Sequence, residues 1–218
     1  MNVKDIIESV KLNGFFEFDY YDDLLYLAKQ LGTPVPSRRN ESVVSLIKVL
    51  NKEEAKVNSL SAIYGKGAFP YHTEAAYRKV PPRYVILRMQ RGNDSRPTLL
   101  KELYSNLNDD SLNILKNEIW IYSDNKETFL STVISKAQNN EIITRFDKDC
   151  MTFPLKRDPK AMDLVYNALQ YSPTVKISWS SGKTIVFDNW RMLHARGENF
   201  NNIDCEDRIL ERILILGD

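Results

Sequence analysis

The chain has only two histidines among 218 residues, His72 and His194. Each lies in a phrase able to bind a metal: Tyr-His-Thr-Glu at 71–74 and Phe-Asp-Asn-Trp-Arg-Met-Leu-His-Ala-Arg at 187–196. A neutral imidazole offers one lone pair to a divalent metal and an ionised carboxylate adds charge. Three such ligands on one face leave positions open for substrate and oxygen, the arrangement of non-haem iron(II) oxygen chemistry. His72 and Glu74 share a face only if their segment is extended, because side chains at i and i+2 of a strand point the same way whereas those of a helix diverge. Pro70 and the aromatic and β-branched neighbours favour a strand or its rim. With 29 acidic residues in the chain, about one histidine in eight meets an acid two positions on by chance, so the surrounding sequence must carry the assignment.

That context lies at the C-terminal end. In Asp-Arg-Ile-Leu-Glu-Arg-Ile-Leu-Ile-Leu, Arg208 and Arg212 fall on one face of an extended run. A guanidinium is a planar fork that grips a carboxylate bidentately, and two of them suit a dicarboxylate. The plainer alternative pairs them with Glu206, Asp207 and Glu211 at the surface, where ion pairs contribute little.

Four phrases, in order, resemble the Fe(II)/2-oxoglutarate-dependent dioxygenases of the taurine dioxygenase and clavaminate synthase type. They are Ser-Leu-Ser-Ala-Ile-Tyr-Gly-Lys-Gly-Ala-Phe-Pro-Tyr-His-Thr-Glu at 59–74, Pro-Pro-Arg-Tyr-Val-Ile-Leu-Arg at 81–88, the 187–196 phrase, and the closing Arg-x-x-x-Arg. The resemblance runs from about Gly14 to the end. It implies that His72, Glu74 and His194 bind Fe(II) and that Arg212 pairs with the distal carboxylate of 2-oxoglutarate, with Arg208 near the iron-bound one. It further implies a hydrogen bond from Thr98 to this cosubstrate, although a helix cap before Leu99 is the alternative there. The resemblance also implies oxygen as the third reactant, with oxidative decarboxylation to succinate and CO2 driving hydroxylation of a substrate C–H bond. Many members have aspartate where this chain has Glu74. The glutamate is similar to clavaminate synthase and the amino-acid β-hydroxylases of peptide-antibiotic pathways, which implies a small amino-acid-like substrate, and a carboxylate there argues against the halogenase branch.

Softer candidates for substrate contact are Ser59 and Ser61 before the first ligand, Tyr77 and Arg78 after it, Arg145, and Arg196 beyond His194. For Arg145 and Arg196 ion pairing with Asp147, Asp188 or Glu198 is the alternative. Other readings stay open: desaturation or cyclisation at the same site, a carrier-bound or macromolecular substrate, and a non-catalytic protein that binds metal or dicarboxylate. The retention of all five ligand and cosubstrate residues weighs against the last.

Thirty basic and 29 acidic side chains give a formal charge of +1, so nothing suggests the basic footprint that nucleic acid requires. Two cysteines, Cys150 and Cys205, are too few for a disulfide framework and lack zinc spacing. No apolar run has the length to cross a bilayer and no signal-like stretch opens the chain, so a cytoplasmic protein is expected. The oligomeric state is open.

The length fits a single domain over residues 1–218. Helical patterns cover Lys4 to Leu12, Tyr21 to Leu31, Thr98 to Leu107, Ser111 to Asn117 and Pro159 to Tyr171. Strands are expected at Val43 to Leu50, Asn58 to Tyr64, Arg83 to Arg91, Glu141 to Asp147, Thr174 to Trp179, Thr184 to Phe187 and Arg208 to Leu216, with a hairpin at 179–183 and a lid somewhere in 92–140. This is an α+β, mainly β pattern. It suits, as the resemblance also implies, a double-stranded β-helix (jelly-roll or cupin-like) core with flanking helices.

Overall fold

Residues 84–89, Tyr-Val-Ile-Leu-Arg-Met, carry apolar side chains at both parities, so a strand there is satisfied only if both its faces are covered. The architecture supplies those covers. The computed structural model describes residues 2–19, 21–92, 95–123, 127–156, 159–200 and 208–217. Helices run over Val3–Asn13 (α1), Leu24–Leu31 (α2), Leu60–Tyr64 (α3), Asp109–Asn117 (α4) and Lys160–Tyr171 (α5). Strands run over Phe15–Asp19 (β1), Thr33–Val35 (β2), Ser45–Lys48 (β3), Tyr84–Arg91 (β4), Thr98–Glu102 (β5), Ile119–Ser123 (β6) and Thr128–Thr132 (β7). They continue with Ile134–Lys136 (β8), Ile142–Thr144 (β9), Met151–Thr152 (β10), Val175–Ile177 (β11), Lys183–Asp188 (β12), Met192–Arg196 (β13) and Ile209–Leu216 (β14).

The largest sheet has the order β1-β12-β4-β14, with β2 and β3 sharing the outer edge of β14, and every pairing in it is antiparallel. A smaller antiparallel sheet, β11-β5-β13, lies across from it. Val85, Leu87 and Met89 of β4 join Ile185, Phe187, Leu210 and Leu214 against Leu100, Ile177, Trp179 and Met192 of the smaller sheet's side. The alternate residues Tyr84, Ile86, Val186, Ile213 and Ile215 pack outward on Ile6 and Val10 of α1 and Leu24, Leu27 and Leu31 of α2. The outer face of the smaller sheet, through Leu103 and Leu193, packs on Leu115 of α4 and Val165 and Leu169 of α5. The protein is therefore mainly β, two facing sheets with helices outside. No helix among the described residues is long and apolar enough to cross a membrane.

Parity places the chemistry. Arg212 shares the inward face of β14 with Leu210 and Leu214, and His194 shares the inward face of β13 with Met192, because alternate strand residues point to opposite faces.

Three expectations are corrected. Residues 58–64 hold helix α3, not a strand, because Ser59 caps it by accepting a hydrogen bond from Ala62 N at 3.3 Å. The stretch from Thr98 is strand β5 followed by a 3-10 turn at Tyr104–Asn106, since pairing with β11 and β13 overrides its helical pattern. Residues 179–183 do form a turn, with Lys183 N donating to Ser180 O, but it joins strands of different sheets instead of a hairpin pair. The 92–140 stretch holds β5, α4, β6, β7 and part of the β8–β9 pair. Cys150 is a half-buried free thiol whose pKa burial pushes up, and Cys205 lies outside the described residues.

Candidate metal centre

His72 and His194 face each other as an isolated antiparallel bridge: His72 N donates to His194 O at 2.9 Å and His194 N donates to His72 O at 3.0 Å. This makes residue 72 a one-residue extension of the smaller sheet beyond β13, and the extended backbone throws His72 and Glu74 to one side. Thr73 points the opposite way, fully buried, its hydroxyl donating to Thr144 O at 2.9 Å. After Glu74 the chain bends sharply at Ala75, φ +53°. A residue with a Cβ adopts that left-handed conformation at a cost on the order of 1–3 kcal/mol, so its surroundings must enforce it.

The His72, Glu74 and His194 ligand atoms all lie within 4.8 Å of one another. The imidazole rings are 4.1 Å apart, and His194 Nε2 is 3.6 Å from Glu74 Oε2. Pro70 O accepts from His72 Nδ1 at 2.9 Å, which leaves the Nε2 lone pair for a metal. His194 Nδ1 is buried with no hydrogen-bond partner among the described residues, and its Nε2 approach to Glu74 is longer than a hydrogen bond. A cation shared by the three groups would take the His194 Nε2 lone pair, which makes no hydrogen bond to Glu74, so the donor set fits a divalent metal.

Charge balance points the same way. Burial opposes ionisation of Glu74, but Arg212, followed by His194 and His72, outweighs it and holds the carboxyl well below the usual range. Burial and the neighbouring His72 push His194 down to about 4, so its imidazole is neutral at physiological pH, the form that ligates.

Arg212 Nη1 donates to Glu74 Oε2 at 2.9 Å and its Nη2 donates to Ser37 Oγ at 3.0 Å. Arg208 is four residues away along the extended chain, about 13 Å at strand rise. Its Nη1 donates to Arg96 O at 2.6 Å, and its guanidinium lies 5.8 Å from the Trp179 ring centre. Trp179 Nε1 in turn donates to Thr98 Oγ1 at 3.1 Å, leaving the Thr98 O–H as a donor. Thr98 pairs with Arg196 while Leu100 pairs with His194, so Thr98 lies two residues, about 7 Å, along the sheet from the histidine. The sequence reading put Arg208 near the metal and Arg212 at the far end. The geometry has Arg212 against Glu74, and Arg208 with Thr98 and Trp179.

The softer candidates divide. Tyr77 lies beside Glu74 and Arg212, its hydroxyl donating to Ser37 O at 3.5 Å. Arg78 donates to Pro36 O and Ser37 O at 2.8 and 2.9 Å, fastening the segment that carries Ser37. Arg145, 2 % exposed, donates to the carbonyls of Ala76, Arg78 and Lys79 and lies over the Tyr122 and Phe129 rings, in place of the anticipated pairing with an acid or a substrate. Arg196 donates to Gly65 O and Gly67 O and stacks 3.6 Å from the Phe69 ring centre. Ser59 caps α3 and Ser61 lies in its first turn, its carbonyl accepting from Gly65 N. Trp179, Ser37 and Asn189 were not singled out from sequence. Of these only Asn189 gave a signal there, five positions before His194 in the phrase at 187–196.

No family model matches the chain, and no curated protein does. Among solved structures, the non-haem iron oxygenase OrfP in complex with Fe and alpha-ketoglutaric acid aligns with a TM-score of 0.76 at 20% identity, covering 99% of this chain and 80% of that one. OrfP with Fe and L-homoarginine aligns at 0.74 and 18% identity, covering 99% and 80%. Asparagine oxygenase in complex with Fe(II), 2S,3S-3-hydroxyasparagine and succinate aligns at 0.74 and 16% identity, covering 98% and 78%. At such identities what is shared is the fold: this chain is folded like the non-haem iron oxygenases.

Proposed function

We propose that the chain acts as one Fe(II)/2-oxoglutarate-dependent oxygenase domain over residues 1–218, built on a double-stranded β-helix. The observation that carries this reading is the convergence of His72, Glu74 and His194 within 4.8 Å, with Arg212 donating to Glu74. His72 and His194 would hold the metal through neutral nitrogens and Glu74 through one oxygen. Iron bound there would supply oxygen activation coupled to oxidative decarboxylation of the cosubstrate.

The chain's own residues position and balance charge. Arg212 would take the cosubstrate carboxylate next to the metal, and Arg208 and the Thr98 hydroxyl would take the distal carboxylate, exchanging the two arginine roles expected from sequence; this is supported by the Arg212–Glu74 contact and the Arg208–Trp179–Thr98 cluster. A guanidinium suits either end because its fork matches a carboxylate bidentately. The facing apolar layer, with Phe187 5.2 Å from the His194 ring, keeps water from the histidine's inner side. OrfP and asparagine oxygenase are seen with hydroxy-arginine and hydroxyasparagine respectively. Together with Glu74 as the carboxylate ligand, this favours hydroxylation of a small amino-acid-like substrate.

The test is an anaerobic titration of the protein with Fe(II) and 2-oxoglutarate. A weak visible charge-transfer band is expected, lost in His194→Ala and Arg212→Ala, followed by succinate release that rises when L-arginine, L-asparagine or related amino acids are supplied. Iron-loaded, folded protein that gives neither band nor succinate would overturn the assignment.

A further inference from the structure

Asn189 takes no part in the chemistry above and is fully buried, yet its side chain spends its hydrogen-bonding groups on the backbone that carries Glu74. Its Oδ1 accepts from Glu74 N at 2.8 Å. Its Nδ2 donates to Glu74 O at 3.1 Å and to Pro82 O at 2.8 Å, and its own N–H donates to Arg83 O at 2.6 Å. One N–H and two carbonyls as partners fix the orientation of the amide without ambiguity. The amide thus takes the place of a neighbouring strand at the residue where none can pair, because the chain leaves the extended conformation at Ala75. Asn189 lies in the turn between β12 and β13, and β13 carries His194. One side chain therefore ties the third ligand's segment to the backbone of the second.

We propose that Asn189 is a positioning residue that sets the Glu74 carboxylate relative to His194, so that metal affinity depends on an amide that never touches the metal. The proposal rests on the reading of His72, Glu74 and His194 as metal ligands. Neighbouring contacts make the alternative of a purely structural amide testable. Trp190, next in the chain, donates from Nε1 to Pro81 O at 3.0 Å and fastens the same turn to the same loop without reaching Glu74.

The experiment is a Co(II) titration of the purified protein, followed by its visible absorption, with thermal unfolding by circular dichroism in parallel. Asn189→Ala removes all three side-chain bonds. Asn189→Asp keeps the acceptor for Glu74 N and loses the donors, which guards against a cavity effect. Both are expected to bind Co(II) at least about tenfold more weakly with the fold retained, whereas Trp190→Phe stays within about twofold even if its melting temperature falls as far. On a Glu74→Gln background, Asn189→Ala should change Co(II) affinity by less than about twofold, because the residue acts through Glu74. Wild-type affinity in the Asn189 variants, loss of metal only together with the fold, or an undiminished effect on the Glu74→Gln background would each overturn the inference. Failure of the wild-type protein to take up Co(II) would instead remove the metal reading beneath it.

Discussion

The loops on either side of the His72–Glu74 segment are each held by an arginine that donates to backbone carbonyls, but to different depths. Residues 75–83, on the far side, are stitched to the interior: Arg145 takes three carbonyls, Trp190 and Asn189 take those of Pro81 and Pro82, and Arg83 N donates to Ile215 O at 2.8 Å. Residues 59–70, on the near side, form a rim with the short helix α3 and a 45 % exposed Ile63, fastened by Arg196 and by the Tyr64 hydroxyl donating to Asp149 at 2.8 Å. The candidate ligand segment therefore lies between a loop tied to the interior and a more exposed rim. Adaptation to substrate is left to the rim, where binding variation is usually found.

The contrast breaks first at Arg145. Its removal takes the donor from three backbone carbonyls, that of Ala76 buried and those of Arg78 and Lys79 partly so, and empties the space against Tyr122 and Phe129, so Arg145→Ala is expected to lower unfolding free energy by about 4 kcal/mol in chemical denaturation. A loss under about 1 kcal/mol would mean the far loop is not pinned as described. Arg212→Ala, at the boundary of the pinned side, should weaken 2-oxoglutarate binding by about 2–3 kcal/mol, the worth of hydrogen bonds to a charged group. Thr98→Val should cost less, about 1 kcal/mol, and leave metal affinity unchanged. Titration of the cosubstrate into iron-loaded protein measures both.

A pH series sharpens the rigid side. His194 titrates near 4 when folded and near its ordinary value when unfolded. The unfolded chain therefore takes up the proton first as pH falls, and the stability of metal-free protein, complete above about 6.5, declines below it. Between pH 6.5 and 5, above the window in which Glu74 adds its own loss, the decline from this residue is about 2 kcal/mol. Denaturation at the two pH values should show it in the wild type and not in His194→Gln. On the rim, Arg196→Ala is expected to remove about 1 kcal/mol of stability and to raise the KM for substrate with little change in kcat. Smallest is Tyr64→Phe, within about 0.5 kcal/mol in stability, with any effect confined to substrate KM.

How much of this was legible in the sequence follows from what each signal encodes. His-x-Glu and Arg-x-x-x-Arg name residues on a common face because strand parity is local, and β4, β12 and β14 stand out as apolar runs because both their faces are buried. Which arginine lies against Glu74 is set by how β14 registers against β4 and β3, and no local pattern carries register. The helical period of Thr98 to Leu107 is real, but Leu100 and Leu103 are apolar for opposite sheet faces, and partner strands decide the outcome. At residues 58–64 a serine cap outweighed an apolar run too short to distinguish helix from strand. Asn189 escaped notice because its role lies in backbone groups more than a hundred positions away.

The place of β14 in the large sheet bears on how the protein is made. This last of the described strands is inserted between β4 and the β2 and β3 edge, so during synthesis β4 presents an open apolar edge until residues 209–216 leave the ribosome. Long-range pairing of this kind is slow, and unpaired edges invite association with other chains. Arg212 arrives on that same strand. Closure of the sheet and charge compensation of the buried Glu74 are therefore a single event, and a nascent chain that stalls before it is both adhesive and electrostatically incomplete.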